Sequence, residues 1–189
     1  MRWISLALAA TALAVSTQAV AAQRYAIDPA GSDVSAKVAF FGLASRTAHF
    51  PRLSGGITLD SADPANAHLD VTIDALALTA PDPVTLARLK GDKFFWVERY
   101  PTVTFTGRGL TLTGPMRGSV AGTITARGIS RPAVLAVTFA EPVAKAGPGR
   151  PIELTGRMTI DRRAFGMTAY SLIVGRKVAI TIRARLVPS

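Results

Sequence analysis

Cysteine is absent from all 189 residues, and histidine occurs only twice, as His49 and His68. The first absence excludes a disulfide framework, a cysteine nucleophile and any thiolate metal site. The second leaves almost nothing for an imidazole metal centre. No serine sits in a nucleophile-elbow pattern, so acyl-transfer chemistry has no visible motif. Basic residues exceed acidic ones by ten, but they are scattered, as at Arg46, Arg52, Arg88, Arg127, Arg131, Arg157 and Arg183. A dedicated single-strand binder interleaves a basic block with aromatics. None is found, so no nucleic-acid partner is expected. The excess charge reads as a solvated basic surface, or as attraction to anionic lipid or a phosphate-bearing ligand.

Long apolar runs are also missing, with one exception at the start. Met1-Arg2 is followed by an uncharged apolar stretch from Trp3 to Val15, then Ser16-Thr17-Gln18 and the small residues Ala19-Val20-Ala21-Ala22. This is the order of a secretory signal, and the apolar part is too short to cross a bilayer comfortably. Cleavage is expected after Ala21 or Ala22, which makes residues 1–22 a removed signal and 23–189 one exported, soluble domain. That stretch holds one of the 22 basic residues, leaving 21 against 12 acids, a net charge of +9. About 167 residues suffice for a single sizeable core.

Within that domain the hydrophobic period is two. Val34, Ala36, Val38 and Phe40 share a parity, as do Leu69, Val71, Ile73 and Ala75. The pattern repeats at Val103 and Phe105, at Val120, Gly122, Ile124 and Ala126, and at Leu135, Val137 and Phe139. It returns in Ile152, Leu154, Gly156, Met158 and Ile160, and in Val178, Ile180, Ile182, Ala184 and Leu186. Such alternation marks half-buried strands. Turn chemistry at Pro29-Ala30-Gly31-Ser32, Leu53-Ser54-Gly55-Gly56, Ser61-Ala62-Asp63-Pro64 and Thr113-Gly114-Pro115 predicts loops between them. Roughly eight or nine strands with short links give an all-β antiparallel meander that either splits into a sandwich or closes into a barrel.

One region departs from this period. Asp82 is a helix N-cap, Pro83 suits the first helical position and Gly91 a stop, so a short helix is expected over 83–90. Asp92 is read as the cap of a second short helix, Lys93 to Glu98, carrying Phe94, Phe95 and Trp96. The pair reads as a lid over one end of a barrel. Adjacent helical residues cannot all face one way, so at least two of the three aromatics are expected to fill core.

Several stretches in order resemble one family, the YceI-like, polyisoprenoid-binding periplasmic proteins with a lipocalin-like barrel. They are Tyr25-Ala26-Ile27-Asp28-Pro29 with Ser32, Phe40-Phe41-Gly42, and Phe50 with Gly56-Ile57. The most distinctive is Leu89-Lys90-Gly91-Asp92-Lys93-Phe94-Phe95, running on to Tyr100-Pro101-Thr102-Val103-Thr104-Phe105. Gly122 to Ile129 with Arg131-Pro132, Ile160 to Met167, and Val174-Gly175 complete the set. Three positions depart from the pattern. His49 stands where a glycine is common, Thr85-Leu86-Ala87-Arg88-Leu89 replaces Arg-Asp-x-His-Leu, and Arg176 stands where an acid is frequent.

The resemblance implies an eight-stranded lipocalin-type barrel, periplasmic, holding an isoprenoid chain for transport or storage. A polyprenyl phosphate or isoprenoid quinone is the implied ligand, with no cofactor, metal or catalytic residue. Contact with an anionic membrane surface is compatible with the charge, and dimerisation is left open. Inward parity and closeness to the distinctive stretch select Phe40, Phe50, Ile73, Arg88, Phe95, Phe105, Ile124, Phe139, Met158, Phe165 and Met167 as ligand-binding. Met116 is also read as inward, and Gly118, Gly122, Ala126, Ala136 and Gly156 as leaving room. His49 reads as a surface residue or a head-group contact, His68 as solvated. Asp161-Arg162-Arg163 reads as a turn with a salt bridge, or as a phosphate holder through either arginine. Two rivals stand beside the carrier. One is an enzyme acting on an isoprenoid or fatty substrate in the same barrel, the other an envelope stress or interaction protein with a filled interior.

Overall fold

A computed structural model describes residues 22–42, 44–147 and 149–189. The expected signal segment lies, except for Ala22, outside the described residues. Ten strands are formed: β1 Gln23–Ile27, β2 Asp33–Phe40, β3 Ala44–Phe50, β4 Leu53–Leu59, β5 His68–Asp74, β6 Thr102–Gly114, β7 Arg117–Ala126, β8 Ile129–Phe139, β9 Ile152–Asp161 and β10 Val174–Pro188. All pairings are antiparallel, in the order β1-β4-β5-β6-β7-β8-β9-β10-β2-β3, and β1 also pairs with β10.

Ten strands make eight staves. β10 pairs along one edge with β9 and along the other with β2 and then β1, from Val174↔Phe40 to Tyr25↔Pro188. β1 and β2 are therefore one stave broken by the Pro29–Gly31 turn, whose Asp28 carboxylate accepts from the Ala30 N–H at 3.0 Å. β3 and β4 form the facing broken stave, β3 on β2 and β4 on β1. The ring closes through β1–β10 and β1–β4 into an eight-stranded antiparallel barrel, and β3 is the strand whose second edge is paired, among the described residues, by a single bridge, His49↔Thr79.

The parity read from the sequence sets the inside. Val34, Ile73, Val103, Phe105, Ile124, Leu135, Phe139, Met158 and Leu186 are all buried. In β6 the register slips between Arg108 and Leu110, where Gly109 has φ +70°, so Leu110 rather than Thr111 turns inward. The stretch Leu53-Ser54-Gly55-Gly56, expected as a loop, is the first half of β4. Its glycines serve packing, not turning. A Cβ on Gly55 would stand 2.1 Å from the Asp70 carbonyl oxygen, and one on Gly56 2.2 Å from that of Tyr25. β3 escaped the period-two reading because only Ala48 and Phe50 of Ala44–Phe50 turn inward and bury.

Strand directions separate the two ends. At one end Val143 is buried near Leu59, Phe139 and Ile152, and the Tyr25 hydroxyl donates to the Gly147 carbonyl at 3.3 Å. At the other lie the β2–β3 turn, the segment from Ala75 to Pro101, and the loop between β9 and β10. That end carries the only α-helix among the described residues, α1 Pro83–Lys90. Asp82 caps it as expected, accepting from both the Thr85 N–H and hydroxyl at 2.8 Å. These bonds hold its carboxyl below the usual carboxylate range.

The second helix does not form. Trp96 takes a left-handed φ of +50°, and Lys93 to Glu98 turns back instead, with the Phe95 N–H on the Leu89 carbonyl and the Val97 N–H on that of Lys90. The three aromatics diverge as a result. Phe94 is buried, Phe95 faces Phe50 edge-on at 5.4 Å, and Trp96 meets Tyr100 at 5.8 Å.

Gly55 combines a φ of +117° with the close approach of the Asp70 carbonyl. Gly55→Ala is expected to lower unfolding stability by roughly 2–4 kcal/mol, through backbone strain and a steric clash. Urea denaturation reads this directly, and an unchanged midpoint would mean that β4 and β5 do not approach as described.

Candidate functional site

Two adjoining cavities occupy the barrel and its open end. The inner one, about 120 Å³, is lined almost wholly by apolar side chains from every stave. It is far larger than the ~15 Å³ that admits one water, yet offers water almost no partner. The outer one, about 300 Å³, lies at the mouth between β2, β3, α1 and the β9–β10 loop. Ala36, Arg162, Met167 and Val178 border both, so these four residues form the passage between them.

The residues selected from sequence divide between the two spaces. Phe50, Ile73, Phe95, Phe105, Ile124, Phe139, Met158 and Met167 line the inner cavity. Phe40 and Arg88 line the mouth, where Met167 contributes again. Phe165 lines neither cavity. It follows β9 in the one-turn helix Arg162–Phe165, where the period of two no longer predicts direction, and it is among the most deeply buried side chains.

Other readings also shift. Met116 belongs to the β6–β7 turn, and Ala136 faces out. Gly122 does not leave free space, because the Phe105 ring lies over it, 2.7 Å from where a Cβ would be. Gly156 is covered by Leu135 in the same way, at 2.9 Å. His49 faces outward, 3.4 Å from the Asp33 carboxylate, and His68 is exposed. Among the described residues no group of three His, Asp or Glu side chains is placed to hold a metal ion.

The strongest polar feature is Arg162, expected from the sequence in a turn salt bridge or, like Arg163, as a phosphate holder. The salt bridge is made by Arg176 instead, whose Nε lies 2.5 Å from the Asp161 carboxylate and holds that carboxyl below its usual range. Arg162 turns inward and is only 3% exposed. Its Nε donates to the Gly175 carbonyl at 2.9 Å, one terminal nitrogen to that of Val174 at 2.9 Å, and the other to that of Met167. Its Cζ lies 5.9 Å from the Phe94 ring. Burial lowers its pKa from the ordinary guanidinium value, with the Arg163 charge adding to the effect. The planar fork is what lets one side chain satisfy three diverging carbonyls. A buried cation thus pins the β9–β10 loop at the neck between the cavities.

At the mouth the chemistry is aromatic and basic. Phe94 stacks on Tyr170 with centroids 6.1 Å apart, and Arg88 and Lys93 approach the Tyr170 ring at 5.7 and 6.0 Å. Arg46 lies 5.2 Å from the Phe40 ring. Arg46, Phe94 and Tyr170 are not among the ligand-binding residues expected from sequence, and Arg162 is so only as one of two phosphate-holder alternatives. Phe94 and Arg162 lay inside the stretches that carried the resemblance, while Arg46 and Tyr170 gave no local signal.

A closed eight-stranded barrel with an apolar interior and one basic, aromatic mouth is a lipocalin-like architecture. The YceI-like domain family model matches residues 25–186, and the chain belongs to that family. A UPF0312 protein of Pseudomonas syringae pv. tomato is 27% identical over 159 residues, covering 83% of this chain and 82% of its own. One from Pseudomonas putida is 28% identical over 131 residues, 68% of each chain. Among solved structures, Burkholderia cenocepacia BcnA superposes with a TM-score of 0.75 at 24% identity, over 84% of this chain and 98% of its own. A polyisoprenoid binding domain from Saccharophagus degradans gives 0.68 at 16% identity, over 87% and 98%. The YceI protein of Campylobacter jejuni gives 0.62 at 25% identity, over 75% and 84%.

Arg162→Met is expected to lower stability by about 3 kcal/mol, because three carbonyls lose a shared, charge-assisted donor. Arg162→Lys should recover little of this, since one ammonium cannot span the same fork. A loss below about 1 kcal/mol for both in urea titration would mean that the guanidinium does not hold the neck.

Proposed function

We propose that the protein binds an isoprenoid lipid, with the prenyl chain in the barrel interior and its head group at the mouth. The observation that carries this reading is the inner cavity, lined by apolar side chains from all eight staves and continued outward through the Arg162–Met167 neck. Removing an apolar chain from water gains roughly 25 cal/mol per Å² buried, so tight binding needs no catalytic group. The polyisoprenoid binding domain that shares the fold supports the choice of chain.

The inner volume of about 120 Å³ lies below the ~300–1,000 Å³ typical of small-molecule sites. A long chain therefore enters by displacing side chains. Met158 and Met167, with three rotatable bonds each, are the residues best suited to yield. Arg46 and Arg88 at the mouth favour a head group rich in oxygen, a polyprenyl phosphate above a quinone. In this reading residues 1–22 act as an export signal, and the barrel serves as a periplasmic carrier or store for a molecule insoluble in water.

Native mass spectrometry of the protein recovered from a periplasmic extract tests the proposal. The expected mass begins after Ala21 or Ala22 and includes a co-purifying lipid, or accepts a long-chain isoprenoid quinone or polyprenyl phosphate when offered. Ile124→Trp, which fills the interior, should abolish uptake, and Arg88→Ala should weaken the phosphate about tenfold while sparing the quinone. Absence of any lipid adduct with a folded wild-type protein would overturn the carrier reading.

A further inference from the structure

The mouth is built of more apolar surface than a ligand portal requires. Of the seven large hydrophobic side chains exposed among the described residues, Val84 and Tyr170 line this opening, and Phe41 and Leu172 are chain neighbours of its lining residues Phe40 and Ile173. Leu172 is 98% exposed and Phe41 65%. Neither lines a cavity, so neither is explained by the proposed ligand. The Phe41 N–H donates to the Ile173 carbonyl at 2.8 Å, which ties the β2–β3 turn to the loop bearing Leu172. The two most prominent side chains therefore project from one connected ridge.

Cations accompany them in a particular geometry. Arg46, Arg88 and Lys93 each lie over an aromatic ring of the rim, Phe40 for the first and Tyr170 for the other two. Long basic side chains that lay their stems along apolar surface can keep their charge at its outer margin. Two acids line the mouth and the hollow beside it. Both oxygens of Asp82 are engaged by Thr85, and Asp92 lies in a shallow hollow beside Arg88 and Lys93. Around the mouth and the adjoining hollow the balance stays positive, four cations with Arg162 against two acids. The net charge of +9 over residues 22–189 adds long-range attraction to a negative surface.

We propose that the mouth rim docks on an anionic phospholipid bilayer, with Phe41 and Leu172 entering the interfacial region and Arg46, Arg88 and Lys93 meeting the head groups. Apolar and aromatic tips flanked by basic residues match both layers of such an interface. The charge of the rim argues for this occupant over an apolar protein groove. Seating the mouth on the bilayer also lets an apolar chain pass between membrane and barrel without crossing water. That last point rests on the lipid-binding reading; the docking surface itself does not.

The test uses residues 22–189, which contain every described strand and exclude the apolar stretch Trp3 to Val15. Co-sedimentation is measured with vesicles of neutral phosphatidylcholine, with and without about one-third phosphatidylglycerol. Binding is expected to the anionic vesicles, weakened by raising salt from ~0.1 to ~0.5 M. Phe41→Asn with Leu172→Ser should reduce it at least about tenfold, through the lost apolar insertion. Asparagine tolerates the left-handed φ of +52° at position 41, and Leu172→Ser alone repeats the test if the pair disturbs folding. Val134→Ser, equally apolar and 60% exposed on the outer wall, should change nothing.

Quinone uptake by the double variant should persist, because neither residue lines a cavity. Failure of uptake in the wild type with vesicle binding intact would sink the carrier reading and leave the docking surface standing. Three results would overturn the docking proposal. They are no preference for anionic vesicles, equal loss in Val134→Ser, or a dimer in sedimentation velocity that the rim variant abolishes without any vesicle binding.

Discussion

Closure of the sheet through β10 is the constraint on which the rest depends. This 15-residue strand holds β9 along one edge and both halves of the broken β1/β2 stave along the other. Without that second edge the apolar faces of eight staves would open to water, and the two cavities would not exist. The same closure explains where the mouth lies. β4 pairs with β5, but β3, the upper half of the same stave, pairs with the chain beyond β5, among the described residues, only at the His49↔Thr79 bridge. Ala75 to Pro101 leaves the wall there and runs across the open end, carrying α1 and the aromatic turn.

The barrel separates two kinds of chemistry along its axis. Its interior is nearly without polar atoms, whereas its mouth gathers Arg46, Arg88, Lys93 and Tyr170. Arg162 stands between them. Its charge is balanced by backbone carbonyls rather than by a carboxylate, so removing a partner elsewhere does not release it. In this chain the arrangement gives a closed wall and a neck held by one side chain.

Much of the fold was legible because period-two alternation is a direct consequence of a half-buried strand. Seven of the strands announced themselves this way, and Asp82, Pro83 and Gly91 marked α1. β4 was hidden because Gly55 and Gly56 serve close strand contact, a role that sequence cannot separate from turning. The second helix fails at Trp96, whose left-handed φ of +50° no feature of the sequence marks. Parity also located the inner lining, since residues on one face of adjacent staves necessarily converge. It failed for Phe165 and Arg162, which follow the last strand residue and obey loop geometry. The rim residues Arg46 and Tyr170 are brought together only by topology.

The central claim is that an isoprenoid chain lies along the barrel axis behind the Arg162 neck. A polyprenyl phosphate carrying a photoreactive group at its tail end, cross-linked to the folded protein and mapped by peptide mass spectrometry, tests this most directly. Labelling is predicted at inner residues such as Phe105, Ile124 and Phe139. Labelling confined to the rim, or to outward-facing side chains such as Val134, would contradict it.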